Sequence, residues 1–454
     1  MNVLVYGLGR SGLAVTRLLK QQGHHVIAYD ESPKNSDTDE LARLGVPLTL
    51  TLTTEEVNIC IAAPGVPYDR SGLVELRERG IETIGEVEWV YRTIPATFIG
   101  VTGTAGKGSV TRWLADVLAL GDLPAKAGGN IDPALSAVAE EGDVLVTELS
   151  SFQLERCPTL KPKIAIITNL GVDHLDRHHT VHAYHEAKRN ILKNQDSNDI
   201  FIYNREDPTL CSWAGASAAK TLGFSANTAS TSSLGTDACL VERGDDVWLR
   251  LHGVDLIAAS EMQQKGTHQL ANALAVALAA KKMGLDNETI KQGLCSFKGI
   301  EGRYSVVKKL NDITFIDDSI ATRTLAVKAA LESTPSPIVW IAGGADKGAT
   351  FEELETLIKN KVSLFVGIGE AGQTFAERVK HLTKTLVFTE KNGEAALRFA
   401  CEEGLRHLQK HNNRGTILLA PLAASFDQFK DYKDRATTFK RVVNGLSEKD
   451  LVHG

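Results

Sequence analysis

Gly103-Thr104-Ala105-Gly106-Lys107-Gly108-Ser109 decides how this chain is read. The apolar run Phe98-Ile-Gly-Val-Thr102 precedes it and reads as a buried strand. Val110, Trp113, Leu114, Val117 and Leu118 follow at helical spacing, so a helix over about 110–120 is predicted. A strand, a Gly-rich turn and a helix are the context a phosphate loop needs. Small residues let backbone N–H groups curl around a phosphate, and the helix N-terminus adds its dipole. Lys107 is then the cation for the outer phosphates, and the Ser109 hydroxyl the ligand for magnesium. Two residues separate Gly103 from Gly106, where the common Walker A form has four.

Upstream, Val3-Leu-Val-Tyr6, Gly7-Leu-Gly9-Arg10-Ser11-Gly12 and Val26-Ile-Ala-Tyr-Asp30 form a dinucleotide fingerprint, with Asp30 at the ribose-binding position. An NAD site is one reading. A second glycine run, Gly367-Ile-Gly-Glu-Ala-Gly372, shows that tight strand-to-helix turns select such glycines without redox chemistry. Ile59-Cys-Ile-Ala62 reads as another strand, and Glu86-Val-Glu-Trp89 as the opening of a linker.

The 454 residues suffice for two to four domains, and 39 glycines with 43% hydrophobic residues fit an α/β protein. A net charge of -6 without a basic run argues against a nucleic-acid partner. Six scattered cysteines without a CxxC read as buried thiols of a reducing compartment. No apolar stretch reaches 18 residues and the N-terminus enters a strand directly, so a cytoplasmic chain without membrane contact is expected.

Downstream, Ala125-Lys-Ala-Gly-Gly-Asn130 reads as a Gly-rich turn before a helix. Val144-Leu-Val-Thr-Glu148 is a strand ending in an acid, at the edge where ligands of parallel sheets gather. The density of Asp173, His174, Asp176, His178 and His179 allows a zinc site or a phosphate-and-magnesium loop, with His178 and His179 facing water. Lys188, in a helix over 182–193, reads as a surface charge, and Asn272, near the start of a long helix after Gly266, as a surface amide. The segment 204–255 reads as an irregular excursion holding a small antiparallel sheet. After Arg303, strands at Thr314–Asp318, Ile338–Ala342, Leu364–Val366, Thr385–Phe388 and Thr416–Ala420 alternate with helices, and their ends carry Lys347 and Ser425.

Taken together, the stretches 103–109, Glu148-Leu-Ser-Ser-Phe-Gln-Leu154, Thr168-Asn-Leu-Gly-Val-Asp-His174-Leu-Asp176, Ala187-Lys188, His268 with Asn272, Asp317-Asp-Ser319, Gly343-Gly-Ala-Asp-Lys347-Gly348 and Ala423-Ala-Ser-Phe-Asp-Gln-Phe429 resemble the Mur ligase family, in family order along the whole chain. The resemblance implies an α/β fold of three domains. These are a Rossmann-like lobe for a UDP substrate at 1–90, a P-loop ATPase domain with a mostly parallel sheet at 91–299, and a Rossmann-like glutamate-binding domain at 300–454. It implies ATP, two magnesium ions, and addition of D-glutamate to UDP-N-acetylmuramoyl-L-alanine through an acyl phosphate, by a monomer.

Carried over by motif, Gly103 to Ser109 hold ATP phosphate. Ser109, Glu148, His174 and a carbamylated Lys188 serve the metals, with Lys107, His174 and Lys188 as catalytic groups. Gln269, Asn272, Arg303 and Asp318 take adenine and ribose. Gly9, Arg10, Ser11, Asp30 and Asn130 take the UDP substrate, and Thr322, Lys347, Ser425 and Tyr432 the glutamate. Ala105, Gly108, Gln269 and Ile320 depart from the usual family residues. The Asp-Asn-Pro-Arg signature of the diaminopimelate-adding enzymes is missing, which favours the glutamate step. Rival readings are another amide ligase of the superfamily, an NAD-dependent dehydrogenase and a non-catalytic nucleotide switch.

Overall fold

The structure is a computed structural model, and it describes residues 1–52, 56–228, 237–300, 302–346, 348–410 and 413–446. Among these, the strands form three sheets, of five, nine and six strands. Internal contacts divide the chain into two compact units, Met1–Phe297 and Lys298–Gly454. The first unit holds two of the sheets.

The five-stranded sheet runs Leu48–Thr49, His25–Tyr29, Asn2–Tyr6, Ile59–Ala62, Glu82–Ile84 and is parallel throughout. Strand order reverses beside Asn2–Tyr6, the switch point at which parallel sheets bind ligands. Gly7 there has φ +92°, and a Cβ on Gly12 would meet the Gly7 carbonyl oxygen at 2.0 Å. Glu86–Thr93 is a helix, not the opening of a linker, with Glu88 and Trp89 buried. Burial of Glu88 is tolerated because it accepts from Thr159 N, Leu160 N and Arg92 Nε.

The nine-stranded sheet runs Val254–Ala258, Asp246–Leu251, Ala238–Arg243, Lys220–Ser225, Ile200–Asn204, Ile164–Ile167, Thr97–Thr102, Val144–Glu148, Ala125–Gly129. It is parallel except for the meander over 238–258. Among the described residues of 204–255, the helix Pro208–Gly215 and a parallel strand precede the expected antiparallel strands, which extend the main sheet and do not form a separate one. Asp207, whose side chain caps that helix at Thr209 N and Leu210 N ahead of Pro208, is the start signal. Ala125–Gly129 is an edge strand and not a turn, and a Cβ on Gly129 would lie 2.4 Å from the Glu148 carbonyl oxygen.

Helix Thr267–Lys282 is buried on nearly every side rather than along one stripe. It packs on helix Lys107–Leu120 and on the strands at 220–225 and 238–243. At about 1.5–3 kcal/mol for each fully buried large apolar side chain, this helix anchors the phosphate-loop helix to the sheet.

The second unit's sheet runs Ser305–Leu310, Asp312–Asp317, Arg414–Leu419, Ile338–Gly343, Val362–Ile368, Lys384–Val387, antiparallel only at its first pair. The second glycine run closes a tight turn here, since a Cβ on Gly367 would meet the Gly372 carbonyl oxygen at 2.4 Å. Among the described residues no helix is long and apolar enough to cross a membrane. Cys60, Cys157, Cys239 and Cys401 are buried, whereas Cys211 is exposed and Cys295 partly so.

Candidate active site

The strand Thr97–Thr102 delivers the chain into the turn at Gly103, φ +147°, and Gly106, φ +82°, caps helix Lys107–Leu120. Both glycines are required. A Cβ on Gly103 would meet Thr168 Oγ1 at 2.1 Å, and one on Gly106 would meet Asn272 Oδ1 at 2.6 Å. The helix's first amides have no intrahelical acceptor and face the loop. Thr168 and Asn169, to which sequence reasoning attached no role, hold the loop in shape. Asn169 Oδ1 accepts from Ala105 N at 2.8 Å, and Thr168 Oγ1 donates to Ala105 O at 2.6 Å. Thr104 Oγ1 accepts from Gly171 N at 2.8 Å and from Tyr184 OH at 3.3 Å.

Two lysines meet on one carbonyl. Lys107 Nζ donates to Gly103 O at 2.9 Å and Thr104 O at 3.0 Å, and Lys188 Nζ donates to Gly103 O at 2.8 Å. Lys188 is 1% exposed, on helix Val181–Arg189, with its nitrogen 4.5 Å from the centre of the Tyr184 ring. It is not a surface charge, because the helix turns this position inward onto the phosphate turn. Burial first, and the charge of Lys107 second, draw its ammonium down to about 6, against the opposing pull of Asp173 and Glu148.

Glu148 ends its strand 1% exposed. Its Oε1 accepts from Asn130 Nδ2 at 2.8 Å, while Oε2 is buried with no hydrogen-bond partner. An orphaned carboxylate oxygen beside a phosphate loop fits a bound divalent cation. Glu148 and the Ser109 hydroxyl offer the hard oxygen donors that magnesium takes. A zinc cluster is not formed, since the described residues contain no group of three or more His, Cys, Asp or Glu placed to hold a metal. His174 sits in the left-handed region, φ 54°, with Nε2 3.6 Å from Asp173 Oδ2 and its ring packed on Phe152. His178 does not face water: it is buried, shares a 2.9 Å hydrogen bond with Ser151 Oγ, and stacks on Phe152. His179 is exposed.

The residues assigned to the UDP substrate adjoin this centre. Arg10 Nη2 donates to Asn130 O at 2.9 Å, so Arg10, Asn130 and Glu148 form a chain from the first glycine turn to the candidate metal site. Arg156, buried, donates to Ala63 O and Val66 O, and Arg177, stacked on Phe152, donates to Val66 O at 3.1 Å. These two arginines, missed by sequence reasoning, tie the turn after Ile59–Ala62 to the His174 loop. Asp30 uses both oxygens on backbone amides, from Leu8 N at 2.7 Å and Ser32 N at 2.8 Å. It therefore shapes the turn. Titration of NADH, followed by its fluorescence, is expected to show no saturable binding at micromolar protein, and saturation there would restore the redox reading.

Gln269 and Asn272 are buried and paired, Asn272 Nδ2 donating to Gln269 Oε1 at 3.2 Å. Asn272 is thus no surface amide. It packs against the phosphate turn because helix Thr267–Lys282 is buried all round. In the second unit, Asp318 is buried and accepts from Tyr304 N at 3.1 Å. Burial raises its carboxyl to about 7, with Asp317 adding to the rise and Arg303 opposing it. Thr322 and Tyr432 are partly exposed and Ser425 is buried. Lys347 lies outside the described residues.

The Mur ligase middle domain matches residues 101–280, and the Mur ligase MurD-like N-terminal domain matches residues 1–85. The UDP-N-acetylmuramoylalanine–D-glutamate ligase of Thermus thermophilus is 41% identical, over 98% of this chain and 97% of that protein. The enzyme of the same name from Deinococcus radiodurans is 37% identical, over 98% and 92%. The crystal structure of UDP-N-acetylmuramate-alanine ligase from Thermotoga maritima shares the fold with a TM-score of 0.58 at 20% identity, over 98% of this chain and 99% of that one. With a buried lysine on the phosphate turn and full-length relatives at this identity, the chain belongs to the Mur ligase family, among its UDP-N-acetylmuramoylalanine–D-glutamate ligases.

Proposed function

We propose that this protein is an ATP-dependent ligase that joins D-glutamate to UDP-N-acetylmuramoyl-L-alanine, giving ADP and phosphate, as a monomer in the cytoplasm. The observation that carries the reading is the meeting of Lys107 and Lys188 on the Gly103 carbonyl beside the orphaned Glu148 Oε2. A carboxylate is a poor acyl donor, so its oxygen must first become a good leaving group. The L-alanyl carboxylate attacks the γ-phosphorus, the bond to ADP breaks, and an acyl phosphate results. The glutamate amine then attacks the acyl carbon, phosphate leaves, and the amine's proton passes to solvent. Lys107 offsets charge between two anions that repel, and the loop amides orient the phosphates. Ser109, Glu148, His174 and carbamylated Lys188 would hold two magnesium ions, which when bound neutralise phosphate charge. Arg10, Ser11, Asn130 and the Gly9 turn bind the UDP substrate. Gln269, Asn272, Arg303 and Asp318 serve the nucleoside, and functional domains run 1–90, 91–299 and 300–454.

ADP release should require both UDP-N-acetylmuramoyl-L-alanine and D-glutamate, and the product mass should show one added glutamate. Release with either substrate alone, or equal use of L-glutamate, would refute the reading. Within it, Lys347 is the cation for the glutamate side chain, with Thr322 and Ser425 hydroxyls directing that carboxylate. Losing one partner of a desolvated charged hydrogen bond costs about 2–5 kcal/mol. Lys347→Ala should therefore lower kcat/KM for glutamate roughly 30-fold or more, with the ATP KM moving much less. Glutamate constants within twofold of wild type would remove Lys347 from the pocket.

A further inference from the structure

Arg435 is 1% exposed, at the fourth position of helix Tyr432–Gly445. Its partners are carbonyl oxygens. Nη2 donates to Ser319 O at 2.8 Å, and Nη1 and Nη2 each approach Ala423 O at 3.3 Å. Its Nε has no hydrogen-bond partner, and the Asp317 Oδ2 and Asp427 Oδ1 atoms are likewise buried and unpaired. Burial pulls the guanidinium down to about 10, with Asp427 and Asp317 opposing, so it remains a cation at neutral pH. A buried cation satisfied by carbonyl dipoles is expensive, and packing alone is served more cheaply by an apolar side chain of similar volume.

The two carbonyls belong to two separate turns. Ser319 opens Ser319-Ile-Ala-Thr322, and Ala423 lies two residues before Ser425. These turns also touch through Leu422 N donating to Ala321 O at 2.9 Å. The second turn reaches a third segment through paired bonds between Ala345 and Ala424, 2.8 and 3.0 Å. Tyr432 opens the arginine's own helix. Thr322, Ser425 and Tyr432 thus sit on segments joined at one guanidinium. A planar fork sends N–H groups from two separate nitrogens to the two carbonyls in fixed directions, whereas a lysine's donors all rotate about one nitrogen.

We propose that Arg435 is a positioning residue of the amino-acid pocket: it holds the Thr322 and Ser425 turns in register and supplies positive charge that favours a dicarboxylic amino acid. This rests on the glutamate-pocket reading above. The test is steady-state kinetics of Arg435→Met and Arg435→Lys, each substrate varied in turn, with thermal melts alongside. Arg435→Met should raise the glutamate KM about tenfold or more, by loss of register and charge together. The KM for UDP-N-acetylmuramoyl-L-alanine should stay within about twofold, since the residues assigned to that substrate belong to the first unit. Arg435→Lys should recover part of the loss, because it keeps the charge without the fork. A fall in kcat at unchanged glutamate KM in both variants is what a purely structural arginine gives, and it would overturn the proposal. If Arg435→Met does not fold, an unchanged glutamate KM in Arg435→Lys overturns it by itself. Thr322→Ala and Ser425→Ala run in the same assay separate the two ideas. If they leave the glutamate KM unmoved, the pocket reading fails. If they raise it while the Arg435 variants do not, only the positioning role fails.

Discussion

Lys107→Ala is expected to lower kcat by at least about a thousandfold, equivalent to about 4 kcal/mol of transition-state stabilisation, while the protein stays folded. The lysine opens the helix that follows the glycine turn, where the turn's curvature and the helix dipole already favour phosphate. On the proposed reading it would be the cation that offsets charge on the transferring phosphoryl group. Its structural share is small. Its bonds to Gly103 O and Thr104 O are made from a partly exposed position, and losing them costs about 1 kcal/mol. ADP release at saturating substrates, with a thermal melt of the same sample, separates the two effects. A variant near wild-type rate would remove Lys107 from the phosphates.

Lys188→Ala should fall about 100-fold or more in activity, with partial recovery on adding formate or acetate. The free amine attacks the carbon of carbon dioxide, one C–O π pair moves to oxygen, and the nitrogen releases a proton, leaving a carbamate. On the proposed reading, a cation position would thereby become a carboxylate-like ligand. Geometry supports this: the nitrogen is buried and faces the phosphate turn, and Lys107 already occupies the same carbonyl. With its ammonium drawn down to about 6, the amine is free above that pH and protonated below it. Carbon dioxide uptake should therefore fail as the pH drops through about 6. A carbon-13 carbamate signal after incubation with labelled bicarbonate at pH 8 is the direct check. An unmodified amine at pH 8 in active enzyme, with no rescue of the variant, would exclude the carbamate. Removing a buried side chain also opens a cavity worth about 2–4 kcal/mol, so rescue is the informative readout: only folded protein can be rescued.

Much of the fold was legible because local chemistry repeats the global answer. The glycines at 103 and 106, the apolar run before them and the helical spacing after them each point to the same strand, turn and helix. The alternation over 314–420 likewise announced a parallel sheet, since a strand, a helix and a second strand leave few other arrangements. Errors came where glycine has two meanings. Gly128 and Gly129 read as a turn, yet they lie in an edge strand, Gly129 small because it runs against the Glu148 carbonyl and Gly128 because it packs on Leu135 and Val138. The helix over 208–215 was lost among Ser, Thr and Gly residues although Asp207-Pro208 marks its start.

By itself, the sequence determined the strand, glycine turn and helix around residues 98–120 and the acids at strand ends, because these depend on spacing along one segment. Only tertiary structure decided which polar residues are buried. Lys188, His178, Asn272 and Arg435 look like surface residues on their own segments, since each is polar and local pattern assigns polar groups to water. Each is buried by an element distant in sequence: Lys188 by the turn at 103, His178 by Ser151 and Phe152, Asn272 by Gly106, and Arg435 by the turns at 319 and 423. Burial withdraws solvent from a charge, and that withdrawal, which no local spacing encodes, brings Lys188 near neutrality and leaves Arg435 charged on carbonyl oxygens.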